Sequence, residues 1–392
     1  MEAMTTTMMN LPKDLAEEIL SRAPLKSIKP VRLTCRNWNE LSKSPSFMKL
    51  HLGRLSAAIK EGETQMIAMI GNNTYLASID VNGDPSIEDK GTLNLLSETD
   101  KLSDIFHCEG LLLCILKGYS RFLVWNPYLG QKRWIEPPLS NRSFTYALGY
   151  EDNNSSVKLL RFTDSYHSKK SDNKKDWYDV YDFDSDSWTN LDATPTWRKA
   201  FWGIGVSLKG NTYWCATRSN SSVEVLADHI ICFDFTSERF GPLLPLPFCA
   251  WTFDDYVALS CVRDEKLAVL LQHETCPYEL DIWITTKIDP ENVSWSKFLR
   301  MDIGPENDMM VPHIPEVMAP DIVRSFFIDE EKKVAMGFNG ERPPKFVVIG
   351  EAAYVRELDL LGEPAHPKWT PHVCAYVPNL LQIKKPAEGE RK

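Results

Sequence analysis

Apolar residues in the first fifty positions recur at helical spacing. Leu11, Leu15 and Ile19 are four apart, Leu20 widens the stripe, and Lys13, Glu17 and Glu18 fall on the other side. Asn10 is placed to cap this helix, with Pro12 and Asp14 in the first turn, where a missing proline N–H costs little. Pro24 ends it at or before Ala23. Ser27 can cap a second helix with Pro30 in its first turn and an apolar stripe of Val31, Cys35, Trp38 and Leu41. Ser44 and Pro45 break that stripe before a last short segment carrying Phe47, Leu50 and Leu52. A unit of about 40 residues buries little of its own surface. Part of the Leu11, Leu15, Ile19 and Leu20 stripe therefore either awaits a partner or packs as a cap on the rest of the chain.

From Gln65 the pattern changes to short apolar runs between turn signals. Gly210-Asn211, between Val206-Ser207-Leu208 and Thr212-Tyr213-Trp214, suits a two-residue hairpin with Gly at the first central position. Asp264-Glu265 and Glu330-Glu331 mark comparable turns. A repeat emerges from Ser78-Ile79-Asp80, Val124-Trp125-Asn126, Tyr181-Asp182-Phe183, Phe233-Asp234-Phe235 and Asp281-Ile282-Trp283, which recur about every 50 residues. Phe346-Val347-Val348 stands as a sixth member, and Trp134, Trp188, Phe240 and Trp295 follow several members as second anchors. Six such units, each about 48 residues, fit residues 65–360 and predict a β-propeller, because one four-stranded sheet cannot bury both faces whereas a ring of sheets can. Ring closure would put Phe346–Ile349 beside strands from the Met66–Ile79 region. An open β-sandwich is the alternative.

The order Leu11-Pro12, Leu15, Glu18-Ile19-Leu20, Arg22, Pro24, Lys26-Ser27-Ile28, Arg32, Cys35-Arg36, Trp38-Asn39, Leu41, Phe47 and His51-Leu52 resembles the F-box. It departs at Ala23, where Leu is usual, at Thr34, where Val is common, and at Pro30, where a helix former is usual. The resemblance implies a docking site for a Skp-type adaptor, and through it for cullin and RING subunits. The adaptor-facing residues it implies are Leu11, Pro12, Leu15, Ile19, Leu20 and Pro24. The β region resembles kelch repeats, although it lacks their paired glycines. It also resembles the F-box-associated region of a large plant family, most clearly in Gly205 to Trp214 and Ser294-Trp295-Ser296-Lys297. The expected organisation is a disordered stretch at 1–9, a small all-α F-box head at 10–52, a charged linker at 53–64, a kelch-like six-bladed β-propeller at 65–380, and a disordered tail at 381–392.

Composition refines this picture. The formal net charge is −10, yet residues 1–60 carry ten Lys/Arg against five Asp/Glu, a balance of +5 that leaves −15 for the remainder. An acidic body argues against general nucleic-acid binding, which needs a basic face. The basic head suits an acidic partner. No apolar run approaches a membrane span, and MEAMTTTMMN lacks the basic and apolar regions of a signal peptide. Nine cysteines without CxxC pairs read as free thiols of the cytoplasm or nucleus.

No nucleophile-elbow, zinc-protease, phosphate-loop or dinucleotide motif is present, and no cofactor is expected. His107-Cys108, His229 with Cys232, His273 with Cys276 and His372 with Cys374 do not assemble a four-ligand metal site by spacing. Asp254-Asp255 point to opposite faces of any strand, which suits a turn or strand edge rather than paired acid–base work. Trp197, Arg198 and Trp202 lie outside the strand anchors and are candidates for a target-binding surface, because Trp and Arg dominate binding hot spots. Trp251, with Asp254 and Tyr256, is a second candidate. The sequence thus predicts a non-catalytic substrate receptor of a ubiquitin ligase, binding a Skp adaptor and an unidentified target. A module that binds the adaptor without delivering substrates and a propeller enzyme are the rival readings.

Overall fold

The computed structural model describes residues 12–23, 30–31, 33–42, 44–60, 63–70, 73–93, 102–117, 121–138, 144–151, 156–163, 178–191, 195–200, 204–219, 225–250, 255–263, 265–273, 276–302, 325–338, 345–352, 354–358, 372–379 and 381–383. The head is built on α1 (Lys13–Leu20), α2 (Arg36–Leu41) and α3 (Pro45–Lys60). Pro12 occupies the N-cap of α1 rather than its first turn, and its carbonyl accepts from Ala16 N at 3.0 Å. Asn10 and Ser27 lie outside the described residues. The expected second helix is interrupted at Cys35, whose extended backbone and Sγ, accepting from Trp38 N at 3.5 Å, start α2 afresh. α3 runs to Lys60, so most of the expected linker at 53–64 is helical and leads almost directly into the first strand.

The strands form six sheets. They comprise β1 (Glu63–Ile70), β2 (Asn73–Asp80) and β3 (Ser86–Thr92); then β4 (Leu102–Cys108), β5 (Leu111–Leu116), β6 (Phe122–Asn126) and β7 (Gln131–Ile135); then β8 (Phe144–Tyr150), β9 (Val157–Thr163), β10 (Tyr178–Asp182) and β11 (Ser187–Leu191). The fourth sheet centres on β14 (Asn211–Arg218) and β15 (Ala227–Asp234). Its inner strand is split into β12 (Trp197–Lys199) and β13 (Val206–Leu208), its outer into β16 (Arg239–Phe240) and β17 (Leu244–Ala250). The fifth holds β18 (Asp255–Val262), β19 (Lys266–His273), β20 (Cys276–Ile288) and β21 (Val293–Asp302), and the sixth β22 (Phe326–Asp329), β23 (Val334–Phe338), β24 (Phe346–Gly350) and β25 (Val355–Leu358). A last strand, β26 (His372–Ala375), pairs antiparallel with β1 and completes the first sheet in the order β26-β1-β2-β3. The chain is thus a six-bladed β-propeller closed by a strand from far along the sequence. Phe346 and Val348 share one core with Met66, Ala68, Ala77 and Ile79, as ring closure demands.

The repeat has a local cause. All six members sit on the third strand of their blades, and in several the acid or amide caps the following turn. Asp80, Asp182 and Asp234 accept from backbone N–H groups two residues on at 2.6–2.8 Å, and Asn126 accepts from Leu129 N at 2.9 Å. Trp188 and Phe240, six residues beyond their acids, pack into the core between blades. The corresponding place in the second blade holds Lys132, which lies 5.6 Å above the Trp125 ring. Trp134 is two residues farther along and 42% exposed, so it is not the equivalent anchor. The hairpin near residue 210 is also shifted by one. Leu208 pairs with Asn211, and the turn is Lys209-Gly210, with φ of 52° and 79°. Two left-handed residues match the strand twist in a way that ordinary turns do not.

Antiparallel alternation puts the turns between first and second strands, and between third and fourth, on one face of the ring. The second-to-third turns and the links between blades lie on the opposite, distal face. On the first face, Glu109 closes one side of the axial channel: its carboxylate accepts from Gly210 N at 2.9 Å and from the Tyr150 hydroxyl. The second and fourth blades therefore meet over the end of the third. Gly149 permits this approach, because a Cβ there would lie 2.2 Å from the Phe235 ring and 2.4 Å from the Gly210 carbonyl oxygen. Residues after β26 cross the same face. Asn126 Nδ2 donates to Leu381 O at 2.9 Å, Ile383 N donates to Gln131 Oε1 at 2.8 Å, and Leu381 and Ile383 are buried in the core of the neighbouring blades. Residues 381–383, expected to be part of a disordered tail at 381–392, are instead held against the ring. Residues 384–392 lie outside the described residues.

Candidate functional site

Two surfaces follow from this architecture, one on the head and one on the distal face of the ring. On α1, Ala16 and Leu20 turn inward and join Leu41, Phe47 and Met48 in the head core. Leu15 and Ile19, one turn apart, remain 52% and 47% exposed. Leu20 thus departs from the expected adaptor-facing set. Its side chain is consumed by the head's own packing, as the small head requires every inward position. Pro12 is exposed at the start of the same helix, whereas Leu11 and Pro24 lie outside the described residues. Leu33 and Leu50, 80% and 38% exposed, add apolar surface that the sequence pattern did not single out for binding.

The end of α1 is fixed by α3. Arg54 donates to Glu18 O at 3.0 Å and Ser21 Oγ at 2.6 Å, and its guanidinium meets the Glu18 carboxylate at 2.5 Å. Arg54, and after it Arg22, hold this carboxyl below its usual range. A cation over the last carbonyls of a helix also opposes its dipole.

The head is not a separate body. Its core includes Tyr128, from the turn after β6, with Leu129 packed beside it. His51 on α3 is fully buried and stacked between Phe47 and Tyr128, with centroids 5.6 and 5.5 Å away. Its Nε2 lies 2.8 Å from the Ala23 carbonyl and its Nδ1 3.0 Å from the Tyr128 hydroxyl. A carbonyl can only accept, so Nε2 carries a proton, and in the neutral form of the ring Nδ1 then accepts from the Tyr128 hydroxyl. Asn126-Pro127-Tyr128-Leu129-Gly130 reads as a turn in the sequence, but nothing there marks Tyr128 as part of the head.

The sequence candidates for a target-binding surface were Trp197, Arg198, Trp202 and Trp251. Trp197 is 7% exposed and packs 4.8 Å from Phe240 and 6.2 Å from Phe162, within the core between the third and fourth blades. It is a packing residue, because β12 pairs with the far end of β14 and turns this side chain into the neighbouring blade. Arg198, on the other face of β12, is half-buried at the distal end of the fourth blade, with a long contact of 3.5 Å from its guanidinium to Val225 O. Trp202 and Trp251 lie outside the described residues. The eight described cysteines are free thiols, and burial pushes Cys114, Cys215, Cys232 and Cys374 up to about 12, away from nucleophilic use. Among the described residues, no three His, Cys, Asp or Glu are grouped to hold a metal ion, and no helix is long and apolar enough to cross a membrane.

A small helical head carrying an exposed apolar stripe, seated on a six-bladed ring, defines an interaction protein of the F-box plus propeller class. Residues 8–50 match the F-box domain, and residues 65–383 match the F-box associated beta propeller domain. The chain belongs to the F-box proteins that carry this associated propeller. It is 52% identical over 407 residues to the F-box/kelch-repeat protein At4g33290 of Arabidopsis thaliana, covering 98% of this chain and 91% of that one. It is 51% identical over 412 residues to the F-box protein At2g38590 of the same plant, covering 99% and 94%.

Proposed function

We propose that the chain is the substrate-recognition subunit of a Skp–cullin–RING ubiquitin ligase, working in the cytoplasm or nucleus. The α1 stripe docks the Skp adaptor, and through it cullin and RING subunits. The distal face of the propeller presents a target protein. Catalysis in this reading is proximity: the receptor raises the effective concentration of target lysines beside the ubiquitin thioester, and no residue of the chain makes or breaks a bond. The observation that carries it is the division of α1, with Leu15 and Ile19 exposed while Ala16 and Leu20 are buried. Leu15 and Ile19 are one turn apart on the same helix, with Pro12 exposed at its start, and a contiguous exposed apolar patch is the kind of surface that marks an interaction site.

Exchanging Leu15→Ala and Ile19→Ala together should weaken adaptor binding by about 2 kcal/mol or more, with little change in unfolding midpoint, because both side chains are solvent-facing. Titration of purified Skp adaptor against wild type and double variant measures this. Unchanged affinity in a folded variant would reject the docking face. Reconstituted ubiquitination with a co-purified target then separates a receptor from a module that merely binds the adaptor.

A further inference from the structure

The inner strands enclose an axial bore with walls from the first, second, fourth, fifth and sixth blades. Its free volume is about 120 Å³, near the roughly 150 Å³ of an apolar cavity known to take a benzene ring. Ile67, Ile105, Val206, Leu259, Phe326 and Val373 are apolar residues of the wall. Polar side chains also reach it, but the wall itself engages them. Ser207 Oγ donates to Cys108 Sγ at 3.1 Å, Ser260 Oγ donates to the Phe326 carbonyl, and Ser325 Oγ accepts from Val373 N at 2.8 Å. His107 Nε2 accepts from Gly110 N at 2.9 Å, and burial holds its pKa down to about 4, so the ring is neutral. Arg263 is paired with Glu331 at 2.9 Å, and the Asp104 carboxylate lies 3.6 Å from His372 Nε2.

We propose that this bore binds an uncharged, largely apolar small molecule about the size of one ring. Water gains little there, since a buried water needs two to four polar partners and each of these hydroxyls already spends one hydrogen bond on the wall. A charged ligand would lose its hydration without meeting an unpaired counter-ion. An apolar ring loses nothing of that kind and gains contact with six aliphatic and aromatic side chains. The bore runs between the head-bearing face and the distal face, so an occupant would touch the inner strands of five blades at once and tighten the ring. This site is independent of the adaptor reading; its failure would leave α1 docking untouched.

Toluene and phenylacetate share a ring and differ in charge, and both can be added to the full-length protein. Toluene should raise the melting temperature saturably, whereas phenylacetate at the same concentration should not. Val206→Phe and Leu259→Phe each fill the bore and should remove the toluene shift. Cys261 lines the bore and provides a readout in the unaltered protein: toluene should slow its alkylation several-fold, as followed by peptide mass spectrometry, and phenylacetate should not. The proposal is overturned by unchanged Cys261 alkylation with toluene, by equal effects of the two compounds, or by a toluene shift that persists in a cooperatively melting filled variant.

Discussion

Tyr128→Ala is expected to cost about 3–5 kcal/mol, the range for removing a large buried aromatic, and to abolish adaptor binding although residue 128 lies far from α1 in sequence. The side chain is 2% exposed, belongs to the head core and bonds His51. Its loss opens a cavity between propeller and head and leaves a buried imidazole nitrogen without its donor. Tyr128→Phe keeps the stacking and loses only the hydroxyl, and should cost about 1–3 kcal/mol. Urea unfolding followed by far-ultraviolet circular dichroism, together with adaptor titration, measures both effects. A Tyr128→Ala protein with wild-type midpoint and adaptor affinity would show that the head folds without the ring.

Asp179→Ala should be comparably damaging. Arg161 and Asp179 are 3% and 6% exposed and meet at 2.6 Å. The guanidinium also donates to Pro138 O at 3.1 Å and lies 4.7 and 4.6 Å from the Phe144 and Trp188 rings. Removing one partner strands a buried cation, which costs about 3–5 kcal/mol, whereas replacing both by apolar residues is often nearly neutral. The Asp179→Leu, Arg161→Met double variant should therefore recover most of the lost stability. A double variant no more stable than Asp179→Ala would show that Arg161 matters through its stacking and its bond to Pro138 rather than through its charge.

The ring was legible because its repeat has a local purpose. An acid or amide at the end of the third strand caps the next turn, and that pattern survives in the sequence. Blade count and ring closure followed from it. β26 was not legible, since four residues, His372 to Ala375, carry too little alternation to announce a strand. The length of α3 was hidden by Gly53 and a weakly amphipathic continuation. On α1 the four-residue spacing identified an apolar stripe but not its division between inside and outside, which depends on Leu41, Phe47 and Tyr128. Trp197 shows the same limit. A tryptophan off the repeat reads equally as anchor or as core, and only the pairing of β12 with β14 decides between them.

The pairing of β26 with β1 has a consequence for synthesis. Met66 bonds in register with Ala375, so β1 waits for a partner about 300 residues downstream, roughly 15–60 s at ribosomal rates of about 5–20 residues per second. Through that interval the first blade lacks its inner strand and offers a bare backbone edge, the kind of surface that recruits other strands. Newly made chains stalled before residue 372 should accordingly be far more sensitive to protease within β1 and β2 than completed ones, and pulse proteolysis of stalled ribosome complexes would show it. Equal protection in the two would mean that the nascent blade is shielded before closure. The ring thus withholds its final geometry until nearly the whole message has been read, which ties the supply of competent protein to the completion of translation.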